Sequence, residues 1–153
     1  MNEQRSDSAC ALFEGNIVVS GGYNYDNNNF KSVELYDVFA NAWKSMPNMI
    51  EERQSHSLVC IKSKLIAIGG NLLNTNCEVF DKISSMFVTL KTPKFRSFIV
   101  TAVSIGSKIL VFQNESQVVL CYDVDKDEWT EKSCKAIENL CNYSTVTVPL
   151  YNI

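Results

Sequence analysis

Apolar residues in this chain come in short runs broken by polar turns, and nowhere do they recur as a sustained stripe every 3.6 residues. The middle of the sequence shows the pattern clearly. An apolar run, SHSLVCI (55–61), meets a polar turn, KSK (62–64), and a second run, LIAI (65–68), ends on Gly69 and Gly70. After a loop come a third run, NCEVFD (76–81), another polar turn, and a fourth run, MFVTL (86–90). Runs this short, rich in β-branched and aromatic residues and bounded by turn formers, predict β-strands, four in succession. CKAIENLC (134–141) is the only segment with a helix-like spacing, and it is short.

The pattern is copied along the chain. Shifting the sequence by 48 residues lays residues 1–22 on 49–70 without a gap: Met1 falls on Met49, Glu3 on Glu51, Arg5 on Arg53, and Gly21 and Gly22 on Gly69 and Gly70. The second half of the unit occurs three times, as VELYDVFANAW (33–43), CEVFDKISSMF (77–87) and VLCYDVDKDEW (119–129). In each, an aromatic-Asp pair is followed at one constant spacing by a large aromatic: Tyr36 by Trp43, Phe80 by Phe87, Tyr122 by Trp129. The third copy opens at Arg96 and runs through FIVTAVSIGSKILVF (98–112), with Gln113 and Asn114 where the glycine pair belongs. Polar, proline-bearing stretches, KSMPNMIEER (44–53) and KTPKFR (91–96), separate the copies as connecting loops would. The copies are therefore 1–48, 49–92 and 93–133, followed by a segment 134–153. A period in the range of 20 to 50 residues decides the fold class, because each copy is a unit that stacks on the next.

These residues resemble the kelch repeat: an apolar run into a glycine pair, an aromatic pair at fixed separation, and an arginine opening each copy. The resemblance covers residues 1 to about 133. It implies an all-β fold, a partial kelch β-propeller of about three four-stranded antiparallel blades. CNYSTVTVPLY (141–151) would supply a closing C-terminal strand. In the kelch-like family a propeller stands behind BTB and BACK domains. On that resemblance the chain is expected to be the C-terminal half of a six-bladed domain, with the remaining blades in a longer parent.

The structural positions of the repeat are Gly21, Gly22, Gly69, Gly70, Tyr36, Trp43, Phe80, Phe87, Tyr122 and Trp129. A glycine pair ending the second strand either takes positive φ or makes room for a neighbouring strand. The aromatics are expected to stack each blade on the next, each burying about 150 to 250 Å². Gln113 and Asn114 predict a distorted third blade, with Asn tolerating a left-handed turn better than most residues.

Composition adds exclusions. The 153 residues are 46% hydrophobic and 20% charged with a net charge of −3, so no basic excess argues for nucleic acid or an anionic membrane. No apolar run reaches the roughly 18 to 20 residues of a membrane span, and MNEQRSDSAC lacks the order of a signal peptide. A cytoplasmic, reducing setting is expected. The six cysteines form no C-x-x-C pair and are read as small buried hydrophobes.

Candidate chemistry is thin. His56 is the only histidine, which leaves little for a catalytic triad or a multi-histidine metal site, and it is read as structural packing. No enzymatic activity, cofactor or metal is expected. Arg5, Arg53 and Arg96 are the only arginines and share one repeat position. They could form an arc that binds an acidic peptide bidentately, or pair internally with carbonyls and with acids such as Glu51 and Glu52. The loop YNYDNNNFKS (23–32), with Tyr23, Tyr25 and Phe30, is either a protein-contacting surface or a disordered asparagine-rich connection. Its counterpart NLLNTN (71–76) offers Leu72 and Leu73. The resemblance implies a non-enzymatic protein-binding module, the substrate-recognition part of a cullin-type ubiquitin ligase adaptor. An actin-binding cytoskeletal scaffold is the alternative, and a propeller enzyme the remote one. The expected partner is a protein, either a ligase substrate or actin.

Overall fold

The computed structural model of the chain describes residues 1–71, 76–95, 97, 99–114 and 116–133. Its regular structure is twelve strands in three antiparallel sheets of four. The first sheet is β1 (Ala9–Phe13), β2 (Asn16–Ser20), β3 (Val33–Asp37) and β4 (Ala42–Met46). The second is β5 (Ser57–Ile61), β6 (Lys64–Ile68), β7 (Cys77–Asp81) and β8 (Met86–Leu90). The third is β9 (Val100–Ile105), β10 (Lys108–Gln113), β11 (Val118–Asp123) and β12 (Glu128–Ser133). Each sheet is a meander in which every strand pairs with its sequence neighbours. The first strands lie side by side, β1 against β5 and β5 against β9, so the blades radiate from a common inner edge and β4, β8 and β12 are the outer edges.

The aromatic-Asp pair has a local reason. Asp37 Oδ1 accepts the amides of Phe39 and Ala40, Asp81 accepts those of Ile83 and Ser84, and Asp123 those of Asp125 and Lys126. Each aspartate thus caps the turn into the last strand of its blade, the role short acidic side chains fill in turns. The same turns carry one left-handed residue at the same repeat position: Asn41, Ser85 and Asp127, with φ of 50°, 54° and 55°. Tyr36 donates its hydroxyl to Asn41 and Tyr122 to Asp127. Phe80, without a hydroxyl, can make no such bond to Ser85.

Two apolar cores fill the gaps between blades. Ala9, Phe13, Val18 and Val33 of the first blade meet Leu58, Leu65, Ala67 and Phe87 of the second. On the other side of the second blade, Val59, Ile61, Ile66 and Ile68 meet Val100, Ile109, Val111, Leu120 and Tyr122 of the third. Alternation along β5 and β6 makes this possible, because successive side chains of a strand point to opposite faces.

The aromatic pairs lean the other way from the expected stacking. Phe80 meets Phe13 of the preceding blade edge-on at 6.1 Å, and Trp129 meets Phe95 of the preceding connector at 6.2 Å while donating its indole N–H to the Lys91 carbonyl at 3.0 Å. Trp43, in the first blade, packs against Tyr36 with ring centroids 5.2 Å apart and the rings tilted by 47°, and is half-exposed. It therefore belongs to a blade face that no preceding blade covers among the described residues, together with Leu12, which is 66% exposed.

The third blade corrects another expectation. It is complete, its strands are six residues long, and its ladder is regular. Gln113 continues β10 opposite Val100, and neither it nor Asn114 takes a positive φ. The missing glycines are answered by a longer strand instead of a left-handed turn. Cysteine usage also differs in part: Cys77 and Cys121 are buried and Cys60 half-buried, but Cys10 on β1 is exposed. Cys134 and Cys141, the helix-like 134–141 and the proposed closing strand 141–151 lie outside the described residues.

Candidate protein-binding face

One end of the blades gathers the functional candidates. The chain enters β1, leaves β2, enters β3 and leaves β4 at this end, so the loop 23–32 and the segments leading into each blade all lie there. Loop 23–32 is ordered. Tyr23 and Ser6 exchange backbone hydrogen bonds of 2.9 Å in both directions, and Tyr23 bridges Asn29. The Asn24 side chain accepts the amides of Asp26 and Asn28, both at 3.0 Å, while Asn27 takes a left-handed φ of 58° at the tip. Phe30 is pinned beneath: its amide donates to Gly22, its carbonyl accepts from Arg53, and its ring lies 5.2 Å from the Arg5 guanidinium. The asparagines that suggested disorder are therefore the hydrogen-bonding groups that build the turn. What remains free is Tyr25, 93% exposed at the rim of a pocket of about 270 Å³ lined by Met1, Gln4, Arg5, Ser6, Tyr23 and Asn24.

For Arg5 and Arg53 the peptide-binding reading is corrected and the internal one holds, with Glu34 and Glu78 as the main acids in place of Glu51 and Glu52. Both the Arg5 and Arg53 side chains are completely buried and their donors are used internally. Arg5 donates to Glu34 at 2.9 Å, to Glu3 at 2.7 Å, and to the Gly21 and Ser32 carbonyls at 2.9 and 3.1 Å. Arg53 repeats the arrangement, donating to Glu78 at 2.8 Å, to Asn76 O at 2.7 Å and to the Gly69 carbonyl. A guanidinium so occupied has no fork left for a peptide carboxylate. Arg96, Leu72 and Leu73 lie outside the described residues.

Glu34 and Glu78 were missed by the sequence reading. Each is buried mid-strand and also accepts backbone amides from the incoming segment: Asn2 and Glu3 in one blade, Ile50 and Glu51 in the other. The signal was present, since VELYD and CEVFD both place Glu two residues before the aromatic, whereas VLCYD has Leu120 there. Burial alone would raise the Glu34 carboxyl, but the Asn2 amide and the Arg5 guanidinium outweigh it and hold it below the usual carboxylate range.

The glycine pairs make room for neighbouring backbone, that of the next blade at Gly21 and that of its own blade's lead-in at Gly70. Gly21 and Gly22 have φ of 60° and 87°, and a Cβ on Gly21 would stand 2.3 Å from the Arg53 carbonyl oxygen. Gly22 donates to that same oxygen at 2.7 Å. On Gly70 a Cβ would meet the Gln54 carbonyl at 2.6 Å. His56 sits in this crowded joint. Its Nε2 lies 2.8 Å from Ser20 Oγ of the neighbouring blade, and its buried Nδ1 has no partner among the described residues. Burial first, and the Arg53 charge second, push its pKa down to about 3. A neutral, sealed imidazole is a packing group that links two blades.

Tandem four-stranded sheets radiating from a shared inner edge define a β-propeller. The Kelch motif family model matches residues 4–50, and the chain belongs to the kelch-repeat family. It is 31% identical over 120 residues to Kelch-like protein 7 of Rattus norvegicus, an alignment covering 73% of this chain and 20% of that protein. It is 26% identical over 151 residues to an F-box/kelch-repeat protein of Arabidopsis thaliana, covering 94% of this chain and 42% of that one. The chain thus spans about a fifth of the first relative's length. Its fold matches that of the solved structure of YjhT with a TM-score of 0.73 at 15% identity, over 88% of this chain and 54% of that one.

Proposed function

We propose that this chain is a protein-binding kelch module that works in the cytoplasm as the substrate-recognition part of a cullin-type ubiquitin ligase adaptor. Residues 23–32 make the contact, and the module acts by binding, without catalysis. The observation that carries the reading is the presentation of Tyr25: a fully projecting aromatic on a loop whose other members are locked by hydrogen bonds. A rigid aromatic anchor among adaptable polar groups is the composition that protein-binding loops favour, because little entropy is lost on docking. The ligase role is supported by the similarity to Kelch-like protein 7, and by a relative whose name joins an F-box to the same repeats.

The test is affinity capture with the tagged chain, followed by mass spectrometry, in parallel with Tyr25→Ala and Phe39→Ala. Phe39 is also exposed, but it lies in the β3–β4 turn at the opposite end of the first blade. Replacing the whole loop would be uninformative, because Phe30 and Lys31 carbonyls hold the Arg53 and Met49 amides of the next blade's lead-in. Tyr25→Ala should reduce capture at least about tenfold, the loss of a hot-spot aromatic, with melting unchanged. Phe39→Ala should capture normally. Equal capture by all three would refute the assignment, and co-sedimentation with actin filaments as the main activity would favour the cytoskeletal alternative.

A further inference from the structure

We propose that β8, the outer edge of the second blade, docks an extended segment of another protein, apolar at alternate positions and acidic at the end lying beside Lys91 and Lys94. This site is the outer edge of the second blade and does not use loop 23–32, although Lys91 and Lys94 lie at the same end of the blades as that loop.

The argument begins with the three outer edges, which are not alike. An edge strand presents one unpaired row of backbone N–H and C=O groups, and proteins usually blunt it with charge. Strand β4 (AWKSM) carries Lys44, exposed and paired with Asp37 at 2.7 Å. Strand β12 (EWTEKS) carries Glu128, Glu131 and Lys132, all exposed. Strand β8 (MFVTL) carries no charge at all. Its backbone pairs with β7 on one side, and among the described residues no group of 86–90 makes a backbone hydrogen bond on the other.

The side chains match a strand ligand. Met86 and Val88 share one face and are 61% and 40% exposed, with Leu90 partly covered by the core between the second and third blades. The equivalent positions of β12 are Glu128 and Thr130, and those of β4 are Ala42 and Lys44. Ile83, 97% exposed, stands at the turn entering β8. An open ladder specifies an extended occupant, and alternate apolar positions specify its side chains.

Charge decides whose strand it is. Lys91 and Lys94 follow β8 and are exposed, so an acidic end is favoured there. A second copy of this chain, paired antiparallel through β8 and centred on Val88, would set Ser85 opposite Lys91 and Lys82, which already pairs with Glu14, opposite Lys94, and so would bring neither Lys91 nor Lys94 a carboxylate. Like charges directly opposite are destabilising.

The probe is a synthetic eight-residue peptide of alternating Val and Thr ending in two Glu, titrated into the ¹⁵N-labelled chain. Shifts and slowed amide exchange should be confined to β8 and its flanks. Val88→Lys, which copies the charge β4 carries at this position, should weaken binding at least tenfold while melting normally. Exchanging the two Glu of the peptide for Lys should weaken it several-fold, and Lys91→Glu with Lys94→Glu should reverse that preference. The same peptide with an N-methylated backbone should not bind, a control independent of any effect of Val88→Lys on folding. Binding elsewhere, equal binding of the N-methylated peptide, indifference to peptide charge, or a β8-mediated dimer that Val88→Lys dissolves would overturn the proposal.

Discussion

At the scale of single residues, the joint between the first two blades is held by buried polar groups whose satisfaction is nearly complete. Removing Glu78 would strand the Arg53 guanidinium and two backbone amides in a dry site. Glu78→Ala should therefore cost about 3 to 5 kcal/mol in urea unfolding, and replacing Arg53 by an apolar residue as well should recover only part of that loss, because the Ile50 and Glu51 amides and the Gly69 and Asn76 carbonyls lose these partners. His56 sets a pH dependence. Its folded pKa, about 3, lies below the ordinary 6.5, so between those values the unfolded chain binds a proton that the folded chain refuses. Stability is complete above pH 6.5 and falls as pH drops towards 3. Glu34, depressed when folded, adds to the loss at the acid end. The urea midpoint should thus fall from pH 7.5 to pH 4, and His56→Gln should flatten that decline. A midpoint constant over this range would contradict the burial of a neutral imidazole.

At the scale of elements, the twelve strands were legible because each apolar run was short and bounded by turn residues, and because the copies reinforced one another. Other features were hidden for definite physical reasons. The arginines share a repeat position whether they face solvent or a buried glutamate, and only three-dimensional pairing distinguishes the two. The third blade was expected to be distorted because a turn residue seemed necessary after β10, but Gln113 can extend a ladder that glycine would end. Loop 23–32 was left open between a contact surface and a disordered connection because asparagine favours both disorder and tight turns. The glycines give a sharp contrast for testing. Gly15 and Gly21 both have positive φ, at 78° and 60°, but a Cβ on Gly15 would meet nothing within 4 Å. Gly15→Ala should cost about 1 to 2 kcal/mol. Gly21→Ala, which also drives a Cβ into the Arg53 carbonyl, should cost clearly more; equal losses would show that the joint can move aside.

At the scale of the whole molecule, the second and third blades turn their paired aromatics, Phe80 with Phe87 and Tyr122 with Trp129, towards the blade before them. In the first blade the corresponding face, with Leu12, Ile17, Tyr36 and Trp43, is covered by no other blade among the described residues. An apolar sheet face of this kind associates, so sedimentation should show concentration-dependent self-association that Leu12→Glu relieves, and a monodisperse wild-type monomer would argue against it. The same asymmetry makes Phe87, 3% exposed, the costlier aromatic: Phe87→Ala should lose about 3 to 5 kcal/mol and Trp43→Ala distinctly less. The central claim is that successive copies of one antiparallel unit lean on each other face to face. Its most direct test is a double-mutant cycle between Phe13 of the first blade and Phe80 of the second, whose rings meet edge-on at 6.1 Å. A coupling energy of about 0.5 to 1.5 kcal/mol is predicted, and strict additivity of the two alanine substitutions would contradict the stacking of the blades.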